Sequence, residues 1–204
     1  MTTRITQRLS SELVGSGLPF LGFAVALNLS MGQLTAALKI PFYMDMVGTV
    51  MVAVLCGPWS AVIAGSLSNI LASAFGNASM IFFIPVVIVI ALFTAWIASR
   101  GWFRKAHLVV AGGILQGLLA AVVSAPIAAY VFGGVMFAGT DFLVLYFRSV
   151  GNTLLESVFY QGLASDPVDK TVTYVIVYLL LKSVPLRLLA RFRGAQNVRE
   201  TPEP

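Results

Sequence analysis

The stretch Met46–Ser99, MVGTVMVAVLCGPWSAVIAGSLSNILASAFGNASMIFFIPVVIVIALFTAWIAS, runs for 54 residues without an Asp, Glu, Lys or Arg. A helix that crosses a bilayer needs about 20 mostly apolar residues, so the run holds more than one. Backbone inside hydrocarbon survives only as helix or closed barrel. Barrel strands alternate apolar and polar residues, and this stretch does not. Turn signals at Gly57-Pro58 and Phe75-Gly76-Asn77 divide it into three helical pieces. The first of them is short.

Working outward, two more runs lack charge, Leu13–Leu38 with 26 residues and Leu108–Thr140 with 33. The chain as a whole is 58% hydrophobic and 10% charged, where soluble domains carry about 25% charged residues. That excludes a soluble globule, and disorder with it. One cysteine, Cys56, and one histidine, His107, exclude a disulfide scaffold and a zinc cluster. The reading is an all-α, polytopic membrane protein.

Basic residues set the topology. They cluster at Arg4 and Arg8, at Arg100, Arg104 and Lys105, and at Lys182, Arg187, Arg191, Arg193 and Arg199. The positive-inside rule puts all three clusters in the cytoplasm, so an even number of spans separates each from the next. The expectation is six transmembrane helices, approximately residues 12–31, 45–56, 59–75, 80–99, 107–132 and 167–186. Both termini are then cytoplasmic, and residues 190–204 form a tail. The first run is longer than the apolar core of a signal peptide and is read as the first helix of the mature chain. Residues 141–163 carry Arg148 and Glu156 and break at Gly151-Asn152. Counting them as a span would export five C-terminal basic residues, so they are read as a helical segment at the outer surface. Asp166-Pro167-Val168-Asp169 then reads as a helix start, with an N-cap, a proline at the first helical position and an acid near the positive helix end. Lys39, Arg148 and Lys170 fall outside, beside Asp45, Asp141, Glu156, Asp166 and Asp169.

No catalytic constellation is visible. His107 sits in a basic turn without a neighbouring acid, and no phosphate-binding loop sequence occurs. Binding is what remains. A polar group in the bilayer is costly unless it is paired or lines a cavity, and such groups gather toward the outer helix ends. The candidate ligand-binding residues are Tyr43, Asp45, Asn77, Gln116, Tyr130, Asn152 and Glu156, within a wider set that includes Asn28, Gln33, Asn69, Tyr160 and Gln161. For each Asn and Gln the alternative is an interhelical hydrogen bond. Asp45 could instead cap a helix or pair with Lys39, and Glu156 could pair with Arg148. Small residues repeat every fourth position at Gly22, Ala26 and Ser30, at Gly57, Ala61 and Gly65, and at Gly113, Gly117, Ala121 and Ala125. Such stripes let helices approach closely.

Several passages carry a family resemblance. They are Leu38-Lys39-Ile40-Pro41-Phe42-Tyr43-Met44-Asp45-Met46-Val47-Gly48-Thr49, Gly57-Pro58-Trp59, Ser68-Asn69, Gly133-Gly134, Gly139-Thr140-Asp141, Ser157-Val158-Phe159 and Asp166-Pro167-Val168-Asp169-Lys170. With the size and span count, they make the chain resemble the substrate-binding S component of energy-coupling factor (ECF) transporters, which capture vitamins and related micronutrients. The resemblance implies a multi-pass protein of the bacterial cytoplasmic membrane that takes its ligand from outside. The loop after helix one and the outer ends of helices four to six would hold it. It implies a transmembrane T subunit and two ATPase subunits as partners. Docking would use small residues on helix one, where the family's Ala-x-x-x-Ala is replaced by Gly22-x-x-x-Ala26-x-x-x-Ser30. The N-terminal histidine of the metal-importing branch is absent, so no metal is expected. No cofactor, no enzymatic activity and no nucleic-acid partner are expected either, since the basic residues sit at helix ends where membrane orientation explains them. The alternatives are a sensory or scaffolding membrane module and a stand-alone secondary transporter. Scarcity of titratable groups within the spans disfavours the second.

Overall fold

The computed structural model describes residues 17–136 and 139–199, and every regular element among them is helical. Arg4 and Arg8, the first turn of the expected first span and the last five residues of the expected tail lie outside the described residues. The order is α1 (Gly17–Ala37), α2 (Val47–Leu55), α3 (Pro58–Ala74), a tight turn of 3-10 helix (Ala78–Phe83) running into α4 (Ile84–Ser99), α5 (Ala106–Phe132), α6 (Asp141–Ser149), α7 (Leu154–Ser183) and a single turn, α8 (Leu186–Leu189). Helix α1, the Ala78–Ser99 stretch and α5 are each long and apolar enough to cross a membrane. Their outward faces and those of their neighbours expose Phe23, Ile70, Trp96, Leu118, Val122 and Leu179. Apolar surface on that scale marks a membrane-embedded molecule.

Helix α2 shapes everything above and below it. It has nine residues, all buried, and at 1.5 Å per residue is about 14 Å long. Buried helix ends need partners for their free N–H and C=O groups, and here other elements supply them. Asn28 of α1 accepts from the Gly48 and Thr49 N–H groups at 2.7 and 3.3 Å. Its amide nitrogen donates to the Thr49 and Ser68 hydroxyls at 2.8 and 3.0 Å. At the far end, the Leu55 carbonyl accepts from Gly194 N–H and the Val54 carbonyl from Asn197 Nδ2, both at 2.8 Å. Only glycine fits at 194, because a Cβ there would lie 2.1 Å from the Val54 oxygen. Residues expected to form a tail are therefore folded onto the bundle as far as Arg199. Leu189 and Val198 are buried, and Phe192 packs on Phe20 with ring centres 4.9 Å apart.

Helices α5 and α7 form the most extensive antiparallel pair. A Cβ on Gly113 would meet the Thr171 backbone at 2.5 Å, and one on Gly117 the Pro167 backbone at 2.3 Å. This stripe is spent on packing within the chain, as is Gly65, which faces Thr49 and Val87. Gly22, Ala26 and Ser30 differ. All three are exposed on the outer face of α1.

Helix α7 departs from the sequence expectation. It does not begin at Asp166 but runs unbroken from Leu154, after a capping box in which the Thr153 hydroxyl accepts from Glu156 N–H at 3.3 Å and Glu156 Oε2 accepts from Thr153 N–H at 2.8 Å. Asp166 and Asp169 are interior helical residues. Pro167 forfeits one backbone bond, which a helix packed among neighbours tolerates, and Gly117 leaves room for its ring. Asp166, Asp169 and Lys170, expected among the outer charges, are all buried in the bundle. Most of the described basic residues gather at the other end, where Arg104 donates to the Gln196 carbonyl at 2.9 Å and Arg199 to that of Lys182.

Candidate functional site

Helix α2 starts beside Ala24 and Asn28, halfway along α1. The half of the bundle above its N-terminus is not filled by helix, and a cavity of ≈ 890 Å³ occupies it. Its walls come from the C-terminal halves of α1, α3 and α5, the start of α4 and the N-terminal half of α7. The connection between α1 and α2 crosses it as a strap.

That strap is held in an unusual conformation. Lys39 and Met44 have φ of 52° and 49°, a left-handed region that costs roughly 1–2 kcal/mol for residues with a side chain. Asp169 offsets the cost: its Oδ1 accepts from the N–H groups of both Tyr43 and Met44 at 3.0 Å. Thr35 adds a bond to the Tyr43 carbonyl at 2.9 Å, and the Tyr43 hydroxyl pairs with that of Thr140 at 2.9 Å. Burial, and then the negative charge of Asp166, push the Tyr43 phenol up to about 12, so it stays neutral at physiological pH.

The second carboxylate oxygen of Asp169 accepts from Lys170 Nζ. Lys170 lines the cavity and is 5% exposed, with its ammonium 5.8 Å from the Tyr43 ring centre. Asp45 and Asp166 line the same cavity and lie within electrostatic reach of that ammonium. A cation and three carboxylates thus converge in a bundle that is otherwise short of charge. A lone ion in such surroundings would be very costly, and mutual pairing makes the cluster sustainable.

Of the residues singled out from sequence, Tyr43, Asp45 and Asn77 line the cavity, as do Asn28, Gln33, Asn69 and Gln161 of the wider set. Asn77 lies at its exposed rim, bonded to Ser79 at 2.6 Å. Gln116 sits away from the lining, fully buried, and accepts from the Tyr174 hydroxyl at 3.2 Å. Tyr130 points outward, 76% exposed. Asn152 closes the turn between α6 and α7 by donating to the Phe147 carbonyl at 3.0 Å. Glu156 is engaged in the α7 cap, and Arg148 reaches the Asn152 carbonyl at 3.4 Å. The sequence reading missed Asp166, Asp169 and Lys170. Their signal was the spacing i, i+3, i+4 on one helical face, together with Thr153-x-x-Glu156, which marks a helix start thirteen residues earlier than Asp166.

Comparison of the chain with family models, with curated proteins and with solved structures gives no match.

Proposed function

We propose that the protein is a membrane-embedded solute-binding subunit, an S component that captures a vitamin or vitamin precursor outside and passes it inward with an ATP-hydrolysing ECF module. The observation that carries this reading is the half-length α2, which leaves a large, partly polar cavity at the bundle end opposite the basic residues. In this reading α1 to α5 and α7 are six crossings, with α2 a partial one, both termini are cytoplasmic, and the cavity opens outside. The exposed stripe Gly22, Ala26 and Ser30 is the surface offered to a transmembrane T subunit, with two ATPase subunits beyond it. Purified protein, screened for co-purifying small molecules by mass spectrometry and for vitamin binding by calorimetry, provides the test. Absence of any tight ligand would sink the proposal.

The cluster of buried Asp166, Asp169 and Lys170 with half-buried Asp45 favours one alternative. Stand-alone secondary transporters commonly place titratable groups at mid-membrane, where they couple solute to protons. Uptake in cells lacking every ECF ATPase separates the two: survival of uptake selects the secondary transporter, and its loss selects the ECF subunit.

A further inference from the structure

The charges around the cavity are unevenly partnered, and the unevenness bears on what enters. Four titratable groups face it in addition to the neutral phenol of Tyr43. Lys39 from the strap is exposed at the mouth, Asp45 stands where the strap meets α2, and Asp166 and Lys170 project from α7. Lys170 is already paired, since Asp169 behind the wall takes its ammonium. Asp166 is 6% exposed and poorly served. Among the described residues its one hydrogen-bond donor is the Ser165 hydroxyl at 3.4 Å, and that single proton also has the Gln161 carbonyl at 3.0 Å. A hydroxyl donates once, so the shorter contact leaves the Asp166 carboxylate without a donor. Among the described residues no other residue donates a hydrogen bond to the Asp45 carboxylate. Two carboxylates short of hydrogen-bond donors therefore face one cavity, both within reach of the Lys170 charge that Asp169 already takes up, and close enough to sense each other. Carboxylates so placed, one buried and one half-buried, call for a cation or a proton donor. The same cavity presents Phe42, Tyr43 and Phe83, and the Tyr43 ring already has an ammonium near it, that of Lys170.

We infer that the cavity takes an organic cation, a protonated or quaternary amine on a small aromatic body. Its positive group sits between Asp45 and Asp166, and its ring lies against Phe42, Tyr43 and Phe83. The inference rests on the solute-binding reading and adds the charge of the solute to it. An aromatic cation gains twice here, from two charge-assisted contacts and from aromatic faces that attract cations. An anion would meet Asp166 at the floor and find Lys170 occupied.

The test uses the full chain in lipid nanodiscs and three probes of one shape class: benzyltrimethylammonium, benzyl alcohol and benzoate. Thermal stabilisation and competition against benzyltrimethylammonium are read for each. The cation is expected to bind, with the neutral and anionic probes weaker by about tenfold or more. Asp166→Asn is expected to abolish that preference while leaving a monodisperse, helical protein. Asp45→Asn, at a half-buried position, is expected to weaken cation binding as well. Preference for benzoate or benzyl alcohol would overturn the inference and leave the binding-protein reading standing. Binding by none of the three would overturn the inference, while a vitamin that still bound would rescue the binding-protein reading alone.

Discussion

Asn28 shows how a single polar residue in an apolar bundle becomes structural. Its side chain has two donor and two acceptor capacities, and all four are used, joining α1, α2 and α3. Although it borders the cavity, substitution is expected to act on stability first. Asn28→Ala strands the two buried N–H groups of Gly48 and Thr49 and takes the donor from the Thr49 hydroxyl, while Ser68 keeps its bond to the Ala64 carbonyl; at about 1–3 kcal/mol for each unsatisfied group, a loss on the order of 3 kcal/mol or more is expected. Thermal unfolding in detergent measures it, and a shift within error of wild type would refute the capping role. Asp169 is a different case, holding the strap with one oxygen and neutralising Lys170 with the other. Asp169→Asn keeps an acceptor for the strap and removes the charge, and breaking a buried pair typically costs about 3–5 kcal/mol. The double variant Asp169→Asn/Lys170→Met removes the cation that has lost its hydrogen-bonded partner and is expected to regain part of that loss, Asp45 and Asp166 then facing no ammonium. A double variant no more stable than the single one would show that charge pairing is not what Asp169 provides.

Among the elements, those read from long charge-free runs emerge close to where they are expected: α1, α3, α4 and α5 follow the apolar runs and the turns at Gly57-Pro58 and Gly76-Asn77. The shortness of α2 was legible too, from the interval between Asp45 and Gly57. Helix α7 was not, because charge and proline are surface signals only when the helix has a surface there. Asp166, Asp169 and Lys170 compensate one another and the strap, and Pro167 rests on a glycine, so the usual reading of each residue fails for a tertiary reason. The candidate site suffered the same way, since half of it stands on α7. Nor does hydropathy show that residues 186–199 fold back, because what holds them is two carbonyls at the end of another helix. Gly194→Val is expected to expel this segment by driving a side chain into the Val54 carbonyl. Limited trypsin digestion of detergent-solubilised protein should then cleave at Arg191 and Arg193 at least about tenfold faster, equivalent to a fall of about 1.4 kcal/mol in the local opening free energy. Unchanged cleavage would mean that the segment is not held through α2.

At the scale of the molecule the two ends of the bundle are chemically unlike, and the difference gives the orientation a physical basis. One end gathers Arg100, Arg104, Lys105, Lys182, Arg187, Arg191, Arg193 and Arg199 at the α4–α5 turn, the last turn of α7 and the folded C-terminal segment. The other carries Lys39 and Arg148 against Asp141 and Glu156, and opens into the cavity. Basic residues near span ends remain on the cytoplasmic side during insertion, and anionic lipid there attracts each by about 1 kcal/mol. Eight such residues at one end outweigh two at the other, so the cavity should face outward. Single cysteines test this on a Cys56→Ser background, which removes the one native thiol. Lys39→Cys, exposed at the cavity mouth, is expected to react with a membrane-impermeant maleimide in intact cells. Arg187→Cys, exposed at the basic end, should react only after permeabilisation. Labelling of both in intact cells would mean that the bundle does not stand across the membrane with its ends on opposite sides. Labelling of Arg187→Cys alone would turn the cavity toward the cytoplasm, and capture from outside would fall with it.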